Sequence, residues 1–271
     1  MRNIAFLLLL LTLLGCSASK KGLPMEISTF TLYETVSFEE TVQKAYYHPG
    51  TKTLYALLAG NQEIEFWRDG KRQNTIGGMG SLSTNFRSLA DFAMAQDGNI
   101  FVLDSVAKIV KKFNPDGKMI GEMELSYVQQ PTKMALGNNQ NIFIYDAAGS
   151  EIIAYDLLEG SELYRFGKFE LSHVDMLYAN KDYVVAYDNN KAENTLFSSL
   201  GQKIAVDSGQ LVFDTYNNAI GLNNESLISK MSAAWLPMTG EMGLMTICGD
   251  TIAIVVGKQV RLLKLDYAEV L

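Results

Sequence analysis

The stretch Phe-Asn-Pro-Asp-Gly-Lys-Met-Ile at residues 113–120 places a short polar turn between two apolar runs. Pro115 presets the φ angle that begins a turn, and Gly117 accepts backbone angles that other residues resist. Turn glycines recur at nearly equal intervals along the chain, at Gly70, Gly117, Gly160, Gly201 and Gly240. A self-similar period of about 40 residues is typical of a β-propeller. The sequence therefore predicts an all-β chain built from radially arranged sheets.

Apolar strands that follow a polar turn repeat with the same period. Three of them end in an aspartate, and these aspartates are equally spaced along the chain: Asp104, Asp146 and Asp188. Strands that are apolar on both faces fit positions sandwiched between neighbouring blades. Six strands of this kind can be placed, at residues 54–58, 100–104, 142–146, 184–188, 227–229 and 252–256. We therefore predict six blades, with five or seven as open alternatives.

Four strands can be placed in each of the two clearest blades. The second blade is predicted to use residues 92–94, 100–103, 109–113 and 119–125, and the third residues 133–136, 142–145, 152–155 and 163–166. No helical period of about 10–15 residues separates them, which disfavours folds with helices between parallel strands.

The last third of the chain shows the repeat less clearly. Leu227 and Ile252 are too close in sequence for a full four-stranded blade to fit between them. Either the fifth blade is degenerate or the last blade lacks strands of its own. A propeller must close its ring, because an open ring leaves strand edges exposed. Residues 27–33 alternate polar and apolar side chains, and we predict that this N-terminal strand closes the ring beside residues 260–265.

The N-terminus has the pattern of a secretory signal. Arg2 and Asn3 precede the apolar run 4–14, which is shorter than the roughly 20 residues that a membrane-spanning helix needs. The sequence Leu-Leu-Gly-Cys at 13–16 resembles the lipobox of bacterial lipoproteins. This resemblance implies cleavage before Cys16 and acylation of that cysteine; the alternative is an ordinary secretory peptide with a chance cysteine.

Three segments follow from this interpretation. Residues 1–15 are a lipoprotein signal peptide, residues 16–25 are the lipidated cysteine with a flexible tether, and residues 26–271 are a single β-propeller domain. Ser17 stands where an Asp favours inner-membrane retention in Gram-negative lipoproteins. The resemblance therefore implies an outer-membrane lipoprotein of the cell envelope, on the periplasmic side or at the cell surface.

The charge of the chain argues against nucleic acid as a partner. Its formal net charge is −7, and basic residues never run longer than two. A phosphate backbone needs several Lys or Arg on one face. An acidic domain is also not drawn to anionic lipid, which leaves the acyl group as the membrane anchor.

The clearest repeats resemble a known module. Residues 97–104, followed by Lys108-Ile109 and by 113–117, look like an NHL-type propeller repeat. Residues 76–80 ahead of 89–92 are similar to the Gly-rich lead-in of six-bladed propeller lipoproteins of Bacteroidetes-type bacteria. The resemblance is good over 76–125 and extends to about residue 190. It implies a binding module, since NHL modules mostly mediate binding, although some relatives are lyases or lactonases.

Few residues in the sequence suggest a catalytic or metal-binding site. The two histidines, His48 and His173, would meet near the channel only if their loops leave by the same face. Propeller lactonases hold a divalent cation with Glu, Asn and Asp, and the candidates by residue type include Asp91, Asp175 and Asn217. The sequence has no Gly-x-Ser-x-Gly elbow, Walker loop or Cys-x-x-Cys. The three strand-ending aspartates fit the hydrogen bonding of turn backbone better than cation binding.

Two further features concern single side chains. Cys248 lies in an apolar run and is predicted to be a buried, inert thiol. Tyr46, Tyr47 and Trp235 lie beside turns and are candidates for a platform on which a sugar or peptide stacks.

Two classes of function are compatible with these observations. The first is a non-enzymatic binding or scaffold module without a cofactor, which takes a protein, peptide or glycan at one end of its channel. The second is a hydrolase or lyase of the lactonase type with a divalent cation in the channel. Because no catalytic constellation is recognisable, we favour the first.

Overall fold

The computed structural model describes residues 24–78, 84–137, 141–223, 226–235 and 243–269. Within these ranges all regular secondary structure is β, and it forms six antiparallel sheets of four strands each. The predicted all-β fold, a six-bladed β-propeller, is thereby confirmed. A helix able to cross a bilayer does not occur in the described ranges. The predicted signal peptide, Cys16 and most of the predicted tether lie outside them.

The first four blades use consecutive strands. The chain begins with β1 (Met25–Ser37), which belongs to the last blade. Blade 1 consists of β2 (Val42–His48), β3 (Thr53–Leu58), β4 (Glu63–Arg68) and β5 (Lys71–Gly77). Blade 2 consists of β6 (Leu89–Met94), β7 (Ile100–Asp104), β8 (Ile109–Phe113) and β9 (Met119–Glu124). Blade 3 consists of β10 (Pro131–Leu136), β11 (Asn141–Asp146), β12 (Glu151–Asp156) and β13 (Glu162–Phe166). Blade 4 consists of β14 (Met176–Ala179), β15 (Tyr183–Asp188), β16 (Glu193–Ser198) and β17 (Lys203–Ser208).

The last two blades contain shorter strands and the closure. Blade 5 consists of β18 (Gln210–Phe213), β19 (Ala219–Asn223), β20 (Ser226–Ile228) and β21 (Ala233–Trp235). Blade 6 consists of β22 (Met245–Cys248), β23 (Thr251–Val256) and β24 (Gln259–Glu269), with β1 as its fourth strand.

The second strand of a blade is covered on both sides. Strands β3, β7 and β23 are buried at every residue. Their side chains alternate between two neighbouring blades, and the hydrophobic clusters therefore lie between blades rather than within one blade. This arrangement explains why these segments read as continuous apolar runs in the sequence.

The ring closes through the N-terminal strand, as predicted. β1 pairs antiparallel with β24, from Met25 opposite Glu269 to Ser37 opposite Gln259. Ile27 is 1% exposed and packs with side chains of blades 5 and 6, among them Ile220. The first and last parts of the described chain thus share one sheet, which gives β24 a hydrogen-bonded neighbour on its outer edge.

The placement of residues 227–229 was wrong. We predicted them as the counterpart of the buried second strands, but β20 is the third strand of blade 5, and β19 is the second. β19 carries Gly221 and is exposed at both ends, so it does not form a continuous apolar run. It is the last blade that lacks a fourth strand of its own, and β1 supplies it.

The strand-ending aspartates hydrogen-bond turn backbone, as predicted. Asp104 accepts hydrogen bonds from the backbone N–H groups of Arg87, Ser88, Val106 and Ala107. Asp146 accepts from Gln129, Gln130 and Ala148, and Asp188 from Asn190 and Lys191. Each aspartate therefore stabilises the turn after the second strand of its blade.

Two faces of the ring can now be defined. First strands of neighbouring blades contact each other, so they line the channel. Because successive strands alternate in direction, the turns after the first and third strands lie on one side of the ring. We call this side the pocket face, for the cavity described below. The turns after the second and fourth strands lie on the other side, the opposite face.

Candidate functional site

A cavity of about 630 Å³ lies where the channel opens on the pocket face. Its walls come from the ends of the first strands of blades 2 to 6 and the turns that follow them. The polar side chains of its lining include Gln96, Tyr178, Asn180, Thr215, Tyr216 and Asn217, and the apolar ones include Leu136, Phe213 and Ile247. We refer to this cavity as the channel-mouth pocket.

Aromatic rings and amides from blades 4 and 5 form one wall of the pocket. The Tyr178 hydroxyl donates a hydrogen bond of 2.6 Å to the backbone carbonyl of Phe213. Tyr183 stacks on the Phe213 ring with a centroid distance of 4.8 Å. These contacts hold the aromatic wall in place across the boundary between the two blades.

The amide of Asn217 is positioned toward the pocket by its neighbours. Its Oδ1 accepts a hydrogen bond of 3.0 Å from Asn180 Nδ2, and its backbone has a φ of 70°. Within the described part of the chain, its Nδ2 has no hydrogen-bond partner. Asn adopts a left-handed φ more readily than most residues, which suits it to this position in the turn. Asn217 thus offers a free donor at the pocket.

The carboxylates around the pocket accept hydrogen bonds from the backbone of their own turns. Asp214 is buried and accepts hydrogen bonds from the backbone N–H groups of Tyr216 and Asn218. Asp97 accepts a hydrogen bond from the backbone N–H of Asn99. The other polar groups that line the pocket are mainly aromatic hydroxyl, amide and hydroxyl groups.

The channel wall contains a buried ion pair. Lys44 Nζ lies 2.8 Å from Asp91 Oδ1, and the two side chains are 4% and 3% exposed. Asp91 Oδ2 accepts a hydrogen bond of 2.9 Å from the backbone N–H of Met134. This carboxylate therefore joins the first strands of blades 1, 2 and 3. Burial, and secondarily the charge of Asp91, raises the pKa of Tyr46, which stays a neutral phenol.

A second buried side chain joins blades 5 and 6 in the same manner. Gln210 is fully buried; its Oε1 accepts from the backbone N–H of Met245 at 2.7 Å, and its Nε2 donates to the carbonyl of Gly243 at 2.6 Å. These polar groups in the channel wall are thus committed to holding blades together, whereas the Asn217 amide of the channel-mouth pocket keeps a free donor.

The candidate cation ligands are not brought together. Asp91 is paired with Lys44, Asn217 lies at the pocket, and Asp175 lies on the opposite face, where it contacts His173 at 3.1 Å. In the described ranges no group of three or more His, Cys, Asp or Glu side chains has the geometry to hold a metal ion. The cation-dependent hydrolase stays a hypothesis without a ligand set among these residues.

The two histidines lie on opposite faces and do not meet. His48 is the last residue of the first strand of blade 1, whereas His173 precedes the first strand of blade 4. His48 Nδ1 accepts a hydrogen bond from the backbone N–H of Thr51, and Nε2 lies 3.0 Å from the carbonyl of Gln96. His48 therefore caps the turn that follows its strand and joins blades 1 and 2.

The predicted stacking platform is distributed over two blades that are not neighbours. Tyr46 and Tyr47 point to opposite sides of β2: Tyr46 packs on Phe92 at 5.2 Å, and Tyr47 on Tyr33 at 5.8 Å. Trp235 belongs to the outer strand of blade 5. The structure does not bring these positions to one surface, and the platform stays a prediction.

Most of the pocket side chains were missed by reasoning from the sequence. Asn217 was a candidate, but Tyr178, Thr215 and Tyr216 were not. They share a signal that could have been used: each lies at the end of a first strand or in the turn that follows it. Finding Tyr178 requires the first strand of blade 4, and finding Thr215 and Tyr216 requires the strand order of blade 5, neither of which was predicted from the sequence.

Cys248 lines the pocket but is a weak nucleophile. It is 9% exposed, and burial, followed by the nearby charge of Asp250, raises the pKa of its thiol to about 11. We expect iodoacetamide to leave Cys248 unmodified at pH 8 in the folded protein and to modify it in denaturant, as measured by intact mass. Rapid modification of the folded protein at pH 8 would contradict this assignment.

No protein-family model matches this chain, and no curated protein matches it.

Proposed function

We propose that this protein is a lipid-anchored envelope propeller that acts as a non-enzymatic binding module. The channel-mouth pocket is its binding site, and a segment of a peptide or glycan is its ligand. The observation that carries the proposal is the convergence of five blades on one cavity with aromatic walls and a free amide donor.

The size and chemistry of the pocket support this class of ligand. Cavities of about 300–1,000 Å³ are usual for small-molecule sites, and a folded protein would enter such a cavity only through a projecting segment. Aromatic faces pack against sugar rings or apolar side chains, and amide and hydroxyl groups pair with uncharged polar groups.

The lipobox and the NHL-type repeats support the location and the class of protein. Residues 13–16 predict acylation of Cys16, and several acyl chains hold a protein firmly at about 0.8 kcal/mol per buried CH₂. Ser17 favours the outer membrane. The NHL-like stretch 76–125 includes the four strands of blade 2, and propellers of that type mostly bind partners.

Replacing the anchor residue tests the location. We expect Cys16→Ser to move the protein from the membrane fraction to the soluble fraction, because no acyl chain can then be attached. Fractionation followed by immunoblotting measures this, with Ser17→Ala as the matched control that stays with the membranes. An unaltered protein found in the soluble fraction would contradict the anchor.

Substitutions in the pocket test the binding site. The unaltered protein is applied to peptide and glycan arrays, and each ligand found is titrated against Tyr216→Ala/Asn217→Ala. We expect affinity to fall about tenfold or more, because the variant loses an aromatic contact and a hydrogen-bond donor.

The control for that titration lies on the opposite face. Asn190→Ala changes an exposed polar residue there and should leave affinity unchanged. Equal affinities of the unaltered protein and the pocket variant for every ligand would contradict the assignment of the pocket. If neither array yields a ligand, the proposed ligand classes are wrong.

A further inference from the structure

The N-terminal end of the described chain lies on the pocket face. β24 leaves the turn at Gly257 on the opposite face and runs to Glu269, opposite which Met25 is paired. The carbonyl of Met25 accepts a hydrogen bond of 3.0 Å from Asn218 Nδ2. Asn218 ends the turn whose preceding residues, 214–217, line the pocket. The chain that leads back to Cys16 therefore starts beside the pocket.

A second contact fixes this end of β1 on blade 5. Glu26 Oε1 lies 2.5 Å from Lys230 Nζ, in the turn between β20 and β21. The ring of Tyr267, near the end of β24, meets the ring of Tyr216 at 5.0 Å. The outer strands of blade 6 and the pocket turn of blade 5 thus pack as one surface.

Exposed apolar side chains also occur on the pocket face, in the outer turns of three blades. Leu158, Leu200 and Met231 occupy the turns after the third strands of blades 3, 4 and 5, and they are 78%, 81% and 57% exposed. Tyr216 at the pocket is 54% exposed. Single exposed hydrophobic residues are ordinary. They recur at the same turn of three consecutive blades, on the face where β1 begins, so they are the apolar side chains that would meet a surface lying against this face.

The length of the chain between Cys16 and β1 restricts how the domain can turn. The eight residues 17–24 can span at most about 28 Å. A six-residue strand is itself about 20 Å long. To bring the opposite face to the membrane, this segment would have to use about 20 Å of that maximum reach in passing along the side of a blade.

We propose that the pocket face rests on the bilayer, with Leu158, Leu200, Met231 and Tyr216 in contact with zwitterionic phospholipid headgroups. This inference rests on the proposed acylation of Cys16. Zwitterionic headgroups fit because a chain with a net charge of −7 is not attracted by anionic lipid. The channel-mouth pocket then opens toward the membrane, and its ligand is one presented at the membrane surface.

The opposite face carries its own exposed apolar residues. Val106, Tyr127 and Phe169 are 61%, 84% and 94% exposed, in turns after second or fourth strands of blades 2 and 3. They lie on the face of the ring away from Met25. In the proposed orientation they face away from the membrane, and they serve as the control surface.

Energy transfer to labelled lipids distinguishes the two orientations. Full-length acylated protein is reconstituted in phosphatidylethanolamine/phosphatidylcholine vesicles that contain an acceptor-labelled lipid. A donor dye is attached at Gln202→Cys on the pocket face or at Asn190→Cys on the opposite face; both positions are exposed and in blade 4. We expect at least twofold more transfer from position 202. The unaltered protein, treated in the same way, gives the background from Cys248.

Two sets of serine substitutions test the contact itself. Leu158→Ser/Leu200→Ser/Met231→Ser should reduce the difference in transfer between positions 202 and 190. Val106→Ser/Tyr127→Ser/Phe169→Ser should leave it unchanged. Circular dichroism of each variant confirms that it is folded.

The possible results distinguish a wrong orientation from a missing membrane anchor. Equal transfer from the two positions, or more from position 190, in vesicle-bound protein would overturn the orientation and leave the anchor intact. An unaltered protein that does not bind vesicles would remove the anchor, and this inference with it. A serine set on the pocket face that changes nothing would overturn the lipid contact and leave the orientation and the anchor standing.

Discussion

Replacing Lys44 by methionine is expected to lower the free energy of unfolding by about 3–5 kcal/mol. The substitution keeps the length of the side chain but leaves the Asp91 carboxylate buried without its cation. That carboxylate is 3% exposed and bonded to the backbone N–H of Met134, so it cannot turn toward water without breaking the contact between blades 2 and 3. Urea denaturation followed by fluorescence measures the change.

An exposed ion pair provides the comparison for Lys44→Met. Lys203 and Glu170 form a pair in which the side chains are 38% and 43% exposed, and Lys203→Met should cost less than ~1 kcal/mol. The double variant Lys44→Met/Asp91→Asn should recover part of the loss, since it removes the uncompensated charge. A Lys44→Met protein as stable as the unaltered one would show that the pair does not hold the inner strands together.

Placing a charge at Ile27 is expected to have the largest effect of any single substitution considered. Ile27→Asp puts a carboxylate among the apolar side chains of blades 5 and 6 that surround Ile27, which is 1% exposed. We expect a loss of at least ~4 kcal/mol, because an unpaired buried charge and the loss of apolar burial act together. Thermal unfolding monitored by circular dichroism measures the loss.

The matched control for Ile27→Asp lies on the same strand. Leu32 is 50% exposed, and Leu32→Asp should change stability by less than ~0.5 kcal/mol. A large effect at both positions would mean that any charge on β1 is disruptive. A small effect at both would mean that the ring does not depend on the packing of its closing strand.

Strands could be predicted from the sequence wherever burial on both faces produced a continuous apolar run. The strands of blades 2 and 3 lie where they were predicted, because residues such as Phe101 and Phe143 are covered by neighbouring blades and must be apolar. Closure by β1 was predicted on a general ground, the cost of an open edge. Blade 5 was misread because β19, with Gly221 and exposed ends, lacks that run.

The residues of the candidate site were much harder to predict from the sequence. Tyr178 and Tyr216 belong to different blades, and nothing in their local sequence marks either of them as a pocket residue. The carboxylates that a sequence search selects first, such as Asp91 and Asp104, are engaged in structural hydrogen bonds. Residue type alone does not distinguish a free polar group from one that already has a partner.

The sequence by itself determined the propeller architecture and predicted six blades and an acylated Cys16 from local patterns of apolar residues and turns, and it predicted the closing strand from the cost of an open edge. The tertiary structure alone decided which polar groups face a cavity, that His48 and His173 lie on opposite faces, and that Met25 starts beside the channel-mouth pocket. The physical reason is that strand propensity and burial repeat with the blade, whereas a site in the channel is formed by side chains from several blades at once, and their meeting depends on the closure of the ring.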